Sequence, residues 1–184
     1  METDNRTVWT QGYVEKNDPD IFSEETMTQV SIICPDPKWY DSENYDETTL
    51  EPDVEETINY IGEVEVGGRL DIVIGASVTA PVHDGVPAFT ISCANADGDA
   101  QLINVFTPND GFEEGDIITI NSIPGDKYVN WTDTADADHN ILNLINQNPD
   151  WIKIKPGVNN LRITDPNSAI SSATFINRVC YEGV

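Results

Sequence analysis

Short runs in which apolar and polar residues alternate are the feature that most constrains the fold of this chain. Ile72 and Ile74 share one face of such a run while Asp71 points to the other, and Val30 and Ile32 repeat the pattern. A period of two is typical of strands with one buried face. The candidate strands are residues 7–14, 26–34, 58–66, 70–74, 88–93, 102–106, 117–121, 127–131, 152–154, 161–163 and 173–181.

Turn-forming pairs separate these runs and indicate how the strands connect. They include Gly67-Gly68, Asp84-Gly85, Asp97-Gly98, Pro124-Gly125 and Pro156-Gly157. Their spacing predicts an all-β chain folded as an antiparallel β-sandwich.

A single short helix is expected over residues 140–146. Ile141, Leu144 and Ile145 would form one apolar stripe there, and Asp138 would cap the first turn. We expect this helix to cover an edge or an end of the sandwich.

Residues 35–56 differ in composition from the rest of the chain. They contain Pro-Asp-Pro, then Trp39-Tyr40, then eight acidic residues. Because proline removes a hydrogen-bond donor and the carboxylates repel one another, we expect an extended, solvated acidic connector. It would divide the chain into a leading β segment (1–34) and a β-sandwich domain (57–184). Two strands alone are marginally stable, so the leading segment is expected to belong to something larger.

The charge balance excludes some classes of partner. Nine basic and thirty-three acidic residues give a net charge of −24, which repels phosphate backbones and anionic lipid. With 39 % apolar residues the chain should nevertheless fold. There is neither a run of eighteen apolar residues nor a readable export signal. We therefore expect that the chain binds neither nucleic acid nor a membrane. We also expect that it is made in a cytoplasm.

The three cysteines carry little chemical information. Cys34, Cys93 and Cys180 lack the close pairing of a zinc site. Free, buried thiols in a reducing compartment are the favoured interpretation, and one disulfide with a spare thiol is the alternative.

One acidic turn has to be considered as a metal site. Asn95, Asp97 and Asp99 alternate around Gly98, but they do not complete a calcium loop, which needs six to eight oxygen ligands. A hairpin turn is the favoured interpretation.

No enzymatic signature is found. His83 and His139 are the two histidines, and His83 lies in a tight-turn sequence typical of a solvated loop. Residues 111–116 lack the Lys and Ser/Thr of a phosphate-binding loop. No catalytic residue, metal or cofactor is predicted.

Aromatic residues offer a different kind of site. Trp39, Tyr40 and Trp131 are candidate contacts for a partner or a glycan, because an exposed aromatic ring can stack on a sugar. Packing in the core is the favoured alternative for such large side chains.

Several motifs together resemble a known family. The stretch Val30-Ser-Ile-Ile-Cys-Pro-Asp-Pro-Lys-Trp-Tyr40 resembles the strand and proline turn that joins the two parts of distal tail proteins of long-tailed (siphovirus-type) phages. The C-terminal pattern of that family also appears in order, as residues 115–121, 140–144, 150–159 (Asp-Trp-Ile-Lys-Ile-Lys-Pro-Gly-Val-Asn) and 178–184. Asn95 to Asp99 is similar to its turn between two sandwich strands. The resemblance covers about residues 6 to 184.

The resemblance implies a galectin-like or jelly-roll sandwich attached outside a sixfold ring in a virion tail. The resemblance also implies that the partners are tail-tube and tail-tip or baseplate proteins. It implies no catalytic residues. Such proteins have a longer ring-forming domain at the N-terminus, so residues 1–34 are expected to be its remnant. We expect homo-hexamers in the virion and a monomer, or weak association, for this chain alone.

Two alternatives from other classes remain. The first is a carbohydrate-binding sandwich that attaches to a host cell-surface glycan, since one fold can host both roles. The second is an acidic halophilic enzyme domain, supported by the charge alone.

Overall fold

The computed structural model describes residues 8–10, 12–19, 28–33, 38–79 and 86–182. Cys34, His83 and the Asp84-Gly85 turn lie outside the described residues. The elements are β1 (Val8–Trp9), β2 (Tyr13–Pro19), β3 (Thr28–Ile33), β4 (Trp39–Leu50), β5 (Glu55–Tyr60), β6 (Val66–Ile74), β7 (Phe89–Asn95), β8 (Ala100–Val105), β9 (Ile117–Asn121), β10 (Tyr128–Thr132), β11 (Asp138–Asn140), a 3₁₀ helix (Leu142–Leu144), β12 (Lys153–Ile154), β13 (Gly157–Thr164) and β14 (Ile170–Tyr181).

Two antiparallel sheets form the sandwich. The larger has the order β1-β4-β14-β6-β9-β10-β11, and β12 pairs with the start of β6. The smaller has the order β5-β13-β7-β8. Its hairpin β7–β8 turns through Gly98, whose φ of +83° favours glycine. The structure therefore confirms the antiparallel all-β sandwich predicted from the alternating pattern.

The core lies between the inner faces of the two sheets. Ile72 and Phe175 of the larger sheet and Ile91 and Leu161 of the smaller are at most 1 % exposed. Ile152, Ile154, Leu161 and Ile163, from the predicted strands over residues 152–154 and 161–163, are all buried in one core cluster. At Gly68 the ring of Phe175 fills the space that a Cβ atom would need, so glycine there allows the ring to pack against β6.

The acidic stretch differs from the expected solvated connector. Residues 39–50 form β4, which pairs with β14 from Leu50 opposite Ala173 to Trp39 opposite Tyr181. Leu50 is buried, whereas Tyr45, Glu47 and Thr49 are exposed. The charge does not prevent strand formation, because alternate side chains reach water while the backbone hydrogen-bonds to β14.

The expected helix over 140–146 is replaced by two shorter elements. Asp138–Asn140 is β11, paired with β10, and the helix is a 3₁₀ turn of three residues, Leu142–Leu144. The prediction that Asp138 caps a helix is wrong, because its carboxylate accepts a hydrogen bond from Thr132. The Asn140 side chain instead accepts one from the Leu142 N–H.

Strands β2 and β3 pair only with each other in the described sheets and form a two-stranded ribbon. Val14 lies opposite Ile32. Val30 precedes Ile32 by two residues, so its side chain is on the same face. Tyr13 and these three residues are between 49 % and 62 % exposed. The strand predicted over residues 26–34 is confirmed as β3, but Val30 and Ile32 face solvent rather than a core.

Candidate functional site

The outer face of the larger sheet collects polar side chains from several strands. On β6 and β9 the residues Leu70, Ile72, Ile118 and Ile120 point inward and are buried. Their neighbours along each strand therefore point outward, because side chains alternate across a strand. This alternation places hydrogen-bonding groups on the solvent side of the sheet.

The strand register brings these outward residues into rows. One row runs from Asp71 on β6 to Thr119 on β9 and Asn130 on β10. The row beside it contains Arg69 on β6 and Tyr128 on β10, both opposite the same residue of β9. Neighbouring strands lie about 4.8 Å apart, so the groups of a row can contact one ligand.

An open groove of about 420 Å³ follows these rows. Its lining includes Arg69, Asp71, Tyr128, Asn130 and Asp138. We call it the outer-face groove.

Hydrogen bonds hold the centre of the outer-face groove in place. Thr119 Oγ1 donates to Asp71 Oδ1 at 3.0 Å, and Arg69 Nε donates to Asp71 Oδ2 at 3.0 Å. At the β11 side, Thr132 Oγ1 donates to Asp138 Oδ1 at 2.6 Å. Among the described residues, the Asn130 amide and the Tyr128 hydroxyl have no hydrogen-bond partner. The groove thus combines fixed acceptors with polar groups that are free to bind a ligand.

A second groove of about 260 Å³ adjoins the first, because Arg69 and Tyr128 line both. Tyr40 and Arg178 line its other side. The two grooves together extend across β14, β6, β9 and β10.

The structure does not bring the three predicted aromatic contacts together. Tyr40 belongs to the buried core cluster and lines the second groove, and Trp39 pairs with Tyr181 at the same end of β4. Trp131 lies on β10, with three strands between it and β4.

Trp131 packs against the core rather than toward the outer-face groove. Its ring meets Phe112 edge to face at 5.8 Å and lies 4.7 Å from the ring of His139. Packing, the favoured interpretation of the aromatic residues, therefore describes Trp131.

The turn containing Asp97 and Asp99 is the predicted hairpin between β7 and β8. Lys155 Nζ contacts Asp99 at 2.6 Å and Asp97 at 3.4 Å. The hydrogen bond from Lys155 lowers the pKa of Asp99, and the Asn95 side chain accepts from the Asp99 N–H. These carboxylates are engaged by a lysine in the structure.

Two histidines, His83 and His139, were considered as possible catalytic residues, and the structure describes His139. Its Nε2 lies 2.9 Å from Asp133 Oδ2, and this hydrogen bond lowers the pKa of Asp133. Asp133 also accepts from the backbone N–H groups of Ala135 and Ala137, so the carboxylate closes the β10–β11 turn. No group of three or more His, Cys, Asp or Glu within the described ranges is placed to hold a metal ion.

A further open groove of about 400 Å³ lies beside Trp151. The ammonium of Lys127 sits 5.3 Å from the centre of the Trp151 ring. Lys153 on its rim is paired with Glu65 at 2.9 Å, and this hydrogen bond lowers the pKa of Glu65. Lys153 and Asp99 of this groove are thus paired with residues outside its lining, Glu65 and Lys155.

The sequence interpretation missed Arg69, Tyr128 and Asn130 as possible site residues. The outward positions of Tyr128 and Asn130 follow from the predicted strand over residues 127–131, and Asp71 was already expected to point away from the core. Arg69 lies just before the predicted strand over residues 70–74. The missing information was the order of strands in the sheet, which places β6 beside β9 and β9 beside β10.

Comparison with protein-family models, with curated proteins and with solved structures finds no match to this chain. In the part of the chain that the structure describes, no helix is long and apolar enough to span a bilayer.

Proposed function

We propose that this chain is a structural component of a phage tail, where it connects the tail tube to tail-tip or receptor-binding proteins. It would be made in the cytoplasm of the bacterial host and assembled into the virion as part of a sixfold ring. The observation that carries the proposal is the exposed apolar face of the β2–β3 ribbon.

The ribbon has the properties of an assembly element. Val14, Val30 and Ile32 are about half exposed or more on one face. A lone two-stranded ribbon is marginally stable in water, and its unpaired edges can accept a strand from another chain. Pairing with a neighbouring tail protein would cover both the apolar face and an edge.

The motifs that resemble distal tail proteins support the same proposal. Residues 115–121 contain β9 and its opening turn, residues 150–159 contain β12 and the start of β13, and residues 178–182 end β14. These three motifs therefore belong to the framework of the sandwich. This is expected of residues that carry a fold rather than a reaction.

The proposal is tested on purified virions of a phage that encodes the chain. Mass spectrometry should find the chain in the particle, and an antibody against it should label the tail tip in electron micrographs. A Val14→Lys chain supplied in trans to a phage lacking the gene should fail to enter tails, because a charge would be buried at the assembly contact.

Val158→Lys is the matched control, since Val158 is a valine of similar exposure on β13. It should enter tails like the unmodified chain. Absence of the chain from virions, or equal incorporation of both variants, would contradict the proposal.

A further inference from the structure

The outer-face groove has a combination of groups that a generic solvated sheet face does not require. We propose that it binds a neutral saccharide, with Arg69, Asp71 and Asn130 contacting hydroxyl groups and Tyr128 stacking on a sugar ring. This inference goes beyond the proposed tail function and does not depend on it.

The polar groups match the chemistry of sugar hydroxyls. A hydroxyl both donates and accepts, so it is recognised by side chains that present both functions in one plane. Asp71 supplies acceptors, Arg69 supplies donors and the Asn130 amide supplies one acceptor and two donors. Asp71 and Arg69 lie in neighbouring rows and are joined at 2.9–3.0 Å.

These groups are held before a ligand arrives. Asp71 accepts from Thr119 on the neighbouring strand as well as from Arg69 on its own strand, so its carboxylate is fixed at both oxygens. The guanidinium of Arg69 has five N–H donors, which leaves donors for a ligand after its contacts with Asp71. A site ordered in advance loses less entropy on binding.

The aromatic ring lies where a stacking partner is needed. Tyr128 is half-buried and lines both grooves, so its ring borders the continuous surface that they form. A sugar ring has a polar rim and less polar faces, and a tyrosine ring can cover one such face while its hydroxyl stays hydrated.

The charge and the polarity of the groove disfavour two competing ligands, an anion and a protein partner. Asp71 is paired with Arg69, while Asp138 adds a negative charge at the β11 side of a chain of net charge −24. An anionic ligand would be repelled. A protein partner would need an apolar, aromatic centre, whereas the middle of this groove is occupied by Asp71, Thr119 and Asn130.

The shape favours an internal stretch of a polysaccharide over a single terminal sugar. Two open grooves of about 420 and 260 Å³ share a border at Arg69 and Tyr128. Consecutive sugar units of an extended chain can therefore lie across β10, β9, β6 and β14 without entering a closed cavity.

The first test is a nuclear magnetic resonance titration of the full ¹⁵N-labelled chain. The probes are the methyl glycosides of glucose, galactose, mannose, rhamnose and N-acetylglucosamine at millimolar concentration, with sialic acid as the charged comparison. At least one neutral sugar should shift amide signals of β6, β9 and β10, and sialic acid should not. No shift with any neutral sugar, shifts confined to other strands, or a response to sialic acid alone would overturn the proposal.

Variants then assign the binding to named side chains. Tyr128→Ala and Asn130→Ala should each weaken binding of the responding sugar about tenfold, a loss typical of one good contact. Tyr13→Ala on the ribbon and Asn160→Ala on β13 are the matched controls and should bind normally. The amide spectrum of each variant reports whether it is folded. Unchanged binding by folded Tyr128→Ala and Asn130→Ala would show that the site lies elsewhere.

Discussion

At the scale of single residues, alternation along a strand decides which side chains carry stability. Leu161 and Arg162 are neighbours on β13, yet Leu161 is fully buried and Arg162 is exposed. Leu161 pairs across the sheet with Cys93 and Glu56, and it packs in the core between the two sheets. The same substitution at the two positions should therefore have very different effects.

We expect Leu161→Asp to unfold the sandwich and Arg162→Asp to be mild. A carboxylate at position 161 would be buried without a partner, which costs several kcal/mol against a total stability of about 5–15 kcal/mol. Chemical denaturation followed by tryptophan fluorescence measures both variants. Equal stability of the two would contradict the face assignment of β13.

Cys93 should be inert in the folded chain. Burial raises the pKa of its thiol to about 11, so the reactive thiolate is scarce at neutral pH. In a Cys34→Ser variant, iodoacetamide at pH 8 should leave Cys93 and Cys180 unlabelled, because both thiols are buried. Both should react in denaturant. Rapid labelling of either thiol without denaturant, detected by mass spectrometry, would contradict the burial.

At the scale of elements, most of the acidic stretch forms strand β4, which lies beside β14 in the larger sheet. It pairs with β14 along most of its length, and Leu50 contributes to the core. Without β4, the backbone groups of β14 that pair with it would be left at an open edge. The acidic stretch is therefore part of the folded sandwich.

A chain that begins at Glu51 should fail to fold into a stable monomer. It would lack β4 and expose one edge of β14, which favours aggregation. A chain that begins at Lys38 keeps β4 and lacks only the ribbon and β1, so it should fold. Circular dichroism melts and size-exclusion profiles compare the two. Cooperative melting of the shorter chain would restore the interpretation of residues 35–56 as a connector.

The strands could be predicted because alternation is a local property of the sequence. Residues 117–121 were predicted as a strand and form β9 with the same bounds. Their partners could not be predicted, because pairing such as Ala173 with Leu50 joins distant parts of the chain. The helical pattern at 140–146 failed for the same reason, since part of it pairs with β10. The outer-face groove depends entirely on this strand order.

At the scale of the whole molecule, unbalanced negative charge is the main electrostatic feature. The chain contains thirty-three acidic and nine basic residues, so there are too few basic side chains to pair with most carboxylates. The ion pairs Lys155–Asp99, Lys153–Glu65 and Arg69–Asp71 lie at the surface, where solvent screens the attraction and leaves little net stabilisation. Repulsion among the remaining carboxylates should therefore decide how stability responds to salt.

Thermal stability should rise with added NaCl. Salt screens repulsion over a Debye length of about 10 Å at 0.1 M, which relieves the acidic residues on β4 and in the segment that follows it. The midpoint of thermal unfolding measures the effect. NaF at equal ionic strength should act alike, because screening depends on ionic strength. A midpoint that falls with salt would mean that the surface ion pairs outweigh the repulsion.

The same charge opposes self-association of the chain in dilute buffer. The ribbon offers an apolar face and backbone edges that favour pairing, but each copy brings a net charge of −24 to the contact. Since charge repulsion acts at long range and the ribbon face is small, we expect a monomer or weak association of the chain alone. Under the proposed tail function, hexamers should form only when the tail partners are present. Light scattering coupled to size-exclusion chromatography gives the mass directly. A stable hexamer at micromolar concentration would show that these residues suffice to build the ring, and Val14→Lys should then dissolve it if the ribbon forms the contact.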